Sequence, residues 1–235
     1  SILFFLFVLV MVLLIWRMTY VLREKELASV QDNFSQLEKD SVDMVFIGNS
    51  HQFCSINPDL LYEEYGINSF MLATSAQTVP MSYYAAMEAI ELQHPKTIVF
   101  EVSYCANDFR TVSQEMSHTF FDGMPRCEAR KLALEDLIEE DERIYYYWNL
   151  GFYHNRWKDL KESDFKSNLI SPRGGYYTEE IKYNWQIPVI ARETKEPMSE
   201  EMLKYMDMLM ELCKENQVEL ILYTAPFNSL YDDDA

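Results

Sequence analysis

Gly48-Asn49-Ser50-His51 follows directly on the apolar run Met44-Val45-Phe46-Ile47. A buried strand that ends in Gly-x-Ser presents a hydroxyl at the carboxyl edge of a sheet, where open α/β folds place their chemistry. A hydroxyl at that edge can act as a nucleophile or bind an anion. Serine in such a turn also serves as a simple helix cap, and the tetrapeptide alone leaves both roles open. Downstream, Asn57-Pro58-Asp59-Leu60-Leu61 has the form of a helix start, with Asn57 as cap and Pro58 at the first helical position. Ser50 is therefore expected on a short strand-to-helix connection.

The elements that must position this serine alternate in type. Residues 42–47, 68–72 and 96–102 have the β-branched and aromatic content of strands. Residues 58–65, stopped by Gly66, and residues 81–92, opened by Pro80, have the pattern of helices. Strand–helix–strand–helix–strand with short links predicts a parallel, right-handed α/β sheet. The rhythm breaks between about 105 and 197, a stretch rich in aromatics with a turn at Ser171-Pro172-Arg173-Gly174-Gly175. This stretch is expected to be a largely helical insertion, separate from the sheet. The α/β rhythm resumes with a helix over 199–216, capped by Ser199, and a fourth strand over 218–224.

Composition excludes several classes. The 235 residues are 49% hydrophobic and 14% aromatic, ample for a packed core. With 20 basic and 38 acidic residues the formal charge is −18. Nucleic-acid partners are excluded, because neutralising phosphates needs Lys/Arg patches. Flat docking on an anionic membrane is disfavoured for the same reason. The acidic run Glu135-Asp136…Glu139-Glu140-Asp141-Glu142 has the form of a solvated helical face, not of a calcium loop. The four cysteines show no C-x-x-C and no zinc spacing. Cys54, close to Ser50, is expected to be a small packing residue.

Residues 2–16 are unbroken apolar, and Arg17 is the first charge. The run extends to about 20 residues, the length that a bilayer core needs, with Trp16 and Tyr20 suited to the interface. A signal peptide is the alternative, but a small-x-small cleavage pattern is missing around residues 16–25, which favours an uncleaved anchor. The chain opens at Ser1, and a segment upstream is expected. The expected division is an anchor over 1–22, a polar helical stalk over 23–40 and a body over 41–235. Arg17, Arg23 and Lys25, taken alone, favour a cytoplasmic body.

Four pieces in order resemble the SGNH (GDSL-like) hydrolase superfamily, more closely its membrane-anchored bacterial branch that includes lipoteichoic-acid D-alanylation and alginate O-acetylation proteins. Val42 to His51 is similar to the first family block, and Ser69 to Thr78 to the second. Lys96 to Tyr104 is similar to the strand before the third block, and Leu212 to Pro226 to the late helix and strand. Together they cover roughly half the chain. The resemblance implies a flavodoxin-like parallel sheet, with Ser50 as nucleophile and its own N–H in the oxyanion hole. It implies Ala76, where the family has Gly, as a second backbone donor. Asn107, in Cys105-Ala106-Asn107-Asp108 where the family has Gly-x-Asn-Asp, is implied as the third. Gln77 stands as a substrate-contacting residue; His51, beside the nucleophile, is expected to be structural or substrate-contacting.

The base departs from the pattern. A serine nucleophile needs an imidazole and an orienting carboxylate. The family supplies both as Asp-x-x-His near the C-terminus, and these 235 residues contain no Asp-x-x-His. The pair is expected beyond Ala235, in a longer chain. Glu115-Met116-Ser117-His118 has the spacing with Glu for Asp, a match expected by chance; His94 is expected to be exposed and His154 to pack among aromatics. The expected activity is ester hydrolysis or O-acyl transfer on a cell-envelope polymer, without metal or organic cofactor; the resemblance implies a membrane-bound O-acyltransferase as partner and a body outside the cytoplasm, opposite to the side that Arg17, Arg23 and Lys25 favour. The alternative is a non-catalytic scaffold or binding module of an envelope polymer-modifying complex.

Overall fold

The computed structural model describes residues 2–24, 29–103, 105, 112–165, 173–174 and 198–225. Four strands form one sheet: β1 (Met44–Gly48), β2 (Ser69–Ala73), β3 (Thr97–Glu101) and β4 (Glu219–Tyr223). The order is β2-β1-β3-β4, and every neighbouring pair is parallel. Except for the half-buried Met44, β1 to β3 are buried along their length, as parallel strands covered on both faces must be.

Side chains alternate between two cores. Val45, Ile47, Phe70, Leu72, Ile98 and Phe100 point to the larger one. It is covered by α2 (Ser29–Ser35), α5 (Val79–Gln93), α6 (Gln114–Phe121), α7 (Glu128–Leu137) and α10 (Glu200–Glu215). Phe46, Met71, Ala73 and Val99 point to the opposite face. There they meet Phe53 of α3 (Ser50–Ser55), Ile56, and Leu61 of α4 (Pro58–Tyr65). The chain leaving β1 thus crosses one face, while the chain leaving the adjacent β3 crosses the other. That reversal makes the gap between the carboxyl ends of β1 and β3 the switch-point crevice of a doubly wound sheet.

Local signals explain the helix bounds. Asn57 Oδ1 accepts from the Asp59 and Leu60 N–H groups, and Pro58 takes the first helical position of α4. Gly66 ends α4 at φ 69°, a left-handed conformation that favours glycine. Ser199 Oγ accepts from Met202 N at 3.3 Å to open α10. The short helix α3 is not expected from the sequence: Ser50 lies inside a helix rather than on a plain connection.

Between β3 and α10 the described residues hold α6, α7, α8 (Arg143–Tyr147), α9 (Leu150–Tyr153) and two 3₁₀ turns, His154–Lys158 and Glu162–Phe165. This segment is not wholly separate from the sheet. Gly174 makes a parallel bridge to Met71 at the outer edge of β2, and Met71 N donates to Arg173 O at 2.8 Å.

The apolar helix α1 (Ile2–Leu22) is long and apolar enough to cross a membrane. Residues 2–16 are exposed, while Val21 and Leu22 are buried against the body. Within the expected stalk, the helix α2 packs against the body. Phe34 of α2 is fully buried, with its ring 5.0 Å from that of Phe70. One apolar side chain is enough to dock a short helix where the sheet offers a matching ring.

Candidate functional site

Ser50 is the first residue of α3, immediately beyond the carboxyl end of the central strand β1. Asn49 is the cap: its Oδ1 accepts from His51 N at 2.9 Å, and its carbonyl accepts from Gln52 N at 3.0 Å. Gly48 allows α3 to fold this close to the strand. A Cβ built there would lie 2.8 Å from Gln52 Cβ and 3.2 Å from Glu101 Cβ. Ser50 is half-buried, and its Oγ has no hydrogen-bond partner among the described residues.

Parallel register brings three loops to one edge. Gly48 pairs with Ala73, and Ile47 with Phe100. Ser50, Ala76 and Ser103 therefore leave neighbouring strands two or three residues past the ladder. His51 spans the crevice, with its Nδ1 3.2 Å from Ser103 Oγ. Ala76 is exposed at φ 54°. That left-handed conformation is the one for which glycine is the usual residue. Gln77 is buried below it: Oε1 accepts from Thr74 N and Thr74 Oγ1, each at 3.0 Å, and Nε2 donates to Ser82 Oγ at 3.1 Å. What Gln77 does in this structure is brace the loop that carries Ala76. Asn107 and Asp108 lie outside the described residues, as does the acidic run 232–234.

Glu101 is a site residue that the sequence reading missed. It ends β3 fully buried, and Oε1 accepts from Ser103 N at 3.0 Å and Ala225 N at 3.1 Å. Its other oxygen has no partner among the described residues. A carboxylate closing the apolar run Ile98-Val99-Phe100 was the available signal. Tyr223, at the end of β4, shares a 3.0 Å hydrogen bond with Ser55 Oγ, and burial raises its phenol. Cys54 is solvent-facing rather than packed, and partial burial raises its thiol above the ordinary value. A thiol so shifted stays protonated and is a poor nucleophile.

Comparison with family models, curated proteins and solved structures finds no match. The site rests on its own geometry.

The other three histidines each have a partner of their own. His94 Nδ1 lies 2.7 Å from Asp40 Oδ1, on the surface. His154 Nδ1 donates to Gly151 O at 2.7 Å. His118 is fully buried, 2.9 Å from Asp122 Oδ1, and its ring is stacked between Tyr146 at 4.2 Å and Phe152 at 3.9 Å. His118 thus takes its carboxylate from the next helical turn, Asp122, and not from Glu115. Two cavities, of about 520 and 930 Å³, are lined by neither Ser50, His51 nor Ala76. Among the described residues no three His, Cys, Asp or Glu side chains come together as a metal site requires.

Proposed function

We propose that this chain is a membrane-anchored serine esterase or O-acyltransferase of the SGNH type, acting on a cell-envelope polymer through an acyl-serine at Ser50. The observation that carries this reading is the place of Ser50: a hydroxyl without a partner among the described residues, at the start of a helix beside the crevice between β1 and β3. The strand order 2-1-3-4 is the one that flavodoxin-like folds use, and such crevices are where they bind ligands. The left-handed Ala76 at the family's glycine position adds support.

In the proposed reaction Ser50 Oγ attacks an ester carbonyl carbon and its proton passes to a base. The developing oxyanion is met by the N–H groups of Ser50 and Ala76 and by the carboxamide of Asn107. Collapse breaks the acyl C–O bond, and the leaving alkoxide takes the proton from that base. Water or a polymer hydroxyl then receives the acyl group, with a membrane-bound O-acyltransferase as the proposed partner.

An uncleaved anchor is supported by how α1 ends. Arg156 Nη1 donates to the carbonyls of Leu22 at 3.0 Å and Arg23 at 3.3 Å, and Arg23 pairs with Asp32. Cleavage here would strip partners from the body.

Two observations favour a second reading, a non-catalytic scaffold. His118 is sealed inside the helical segment, and His51 holds Ser103 across the crevice. A serine-directed fluorophosphonate separates the two. Covalent labelling that disappears in Ser50→Ala supports the enzyme; a folded protein that stays unlabelled supports the scaffold.

A further inference from the structure

Outside α1, every exposed Trp and Phe among the described residues falls between 143 and 165. They are Trp148 (53% exposed), Trp157 (63%) and Phe165 (50%). Ile144 and Tyr147 of α8 are equally exposed nearby in sequence. This segment is also where α1 is seated: α9 and both 3₁₀ turns pack against it. Arg156 makes the fastening. Besides its bonds to Leu22 and Arg23, it pairs through Nε with Glu24 at 3.0 Å and through Nη2 with Asp164 at 2.7 Å. Trp157 adjoins that fastening in the chain, and Phe165 adjoins Asp164.

The level of the bilayer surface follows from α1 itself. Arg17 is the first charge of the helix and is exposed. Its guanidinium lies 5.4 Å from the Tyr20 ring, which stacks on Trp16. A charge flanked by Trp and Tyr marks the headgroup layer. Leu22, already buried in the body, is five residues on, about 8 Å at 1.5 Å per residue. The headgroup layer is itself about 5–8 Å thick on each side of the hydrocarbon. The part of the body that grips Leu22 therefore cannot stand clear of that layer.

We propose that residues 144–165 form an aromatic collar that enters the headgroup layer of a phospholipid bilayer around the exit of α1 and fixes how the body sits on the membrane. Trp and Tyr suit this layer because each joins an apolar ring to a polar edge. Lys158 Nζ, 5.7 Å from the Trp157 ring, is placed to meet lipid phosphate while the indole inserts. The contact does not need anionic lipid, which a chain of charge −18 would be repelled by. The proposal rests on α1 spanning a bilayer and is independent of any chemistry at Ser50.

The test uses the full chain in phosphatidylcholine vesicles, with acyl-brominated phosphatidylcholine and aqueous iodide as quenchers of tryptophan emission. Single Trp157→Phe and Trp16→Phe exchanges read each indole by difference, and both sites are exposed, so neither exchange opens a cavity. The expected result is that each exchange removes lipid-quenchable emission, Trp157 contributing at least about half as much as Trp16. If Trp157→Phe removes only iodide-quenchable emission while Trp16→Phe removes lipid-quenchable emission, the collar is wrong and the span stands. If neither exchange removes lipid-quenchable emission, the span fails and the collar with it.

Discussion

Ala76 and Gly48 carry opposite lessons about the backbone around Ser50. Ala76 sits at φ 54°, where an L side chain is strained by about 1–2 kcal/mol. Ala76→Gly should raise stability by about 0.5–1 kcal/mol after the added chain entropy is counted, seen as a higher unfolding midpoint. Gly48→Ala should do the reverse. The new methyl would meet the Gln52 Cβ at 2.8 Å, between backbone elements that cannot both move, at a cost of about 1–3 kcal/mol. The Gly-x-Ser signal made the position of Ser50 legible, at the start of the chain leaving a strand, but not its role. Glu101 was visible as a charge in an apolar run, but its role was not. Its partner Ala225 N is 124 residues away, and no local pattern encodes that pairing. Gln77, read as a substrate contact, has its amide turned inward to Thr74 and Ser82, a direction that spacing does not specify.

The four strands and the long helices α4, α5 and α10 stand where apolar runs and caps place them. Periodicity and capping are properties of neighbouring residues, so a sequence exposes them. The helix α3 and the docking of α2 were not legible. α3 is six residues long and depends on Asn49 and the absence of a Cβ at Gly48. α2 depends on Phe34 finding Phe70. Phe34→Ala should cost about 3 kcal/mol in chemical denaturation, whereas a free stalk would lose almost nothing. On α5, Glu88 is fully buried, and neither oxygen has a partner among the described residues. Burial pushes its carboxyl up to about 8; Arg130 opposes this in part, and Glu91 adds to it. The folded state then holds this proton while the unfolded chain has lost it, so stability falls as pH rises from about 4.5 to 8. The slope is about 1.4 kcal/mol per pH unit from this group. Glu88→Gln should flatten that slope in unfolding midpoints measured across this pH window, leaving the mutant more stable than the parent at pH 8.

At the scale of the whole molecule, one sheet organises two surfaces. Its carboxyl edge gathers Ser50, His51, Ala76, Ser103 and Glu101, while residues 143–165 seat the end of α1. The edge was foreseeable, because strand–helix alternation fixes which ends of parallel strands point together. The seating of α1 was not, since Arg156 and Leu22 are 134 residues apart. The proposed chemistry converges on a single atom, Ser50 Oγ, and on a covalent intermediate there. The full chain should be mixed with p-nitrophenyl acetate, quenched in acid within the first turnover, digested, and read by mass spectrometry. An acetyl group on the peptide that carries Ser50, lost in Ser50→Ala with the fold intact by circular dichroism, is the predicted result. An unmodified Ser50 peptide from the folded parent, or acetyl retained on that peptide in Ser50→Ala, would contradict the account.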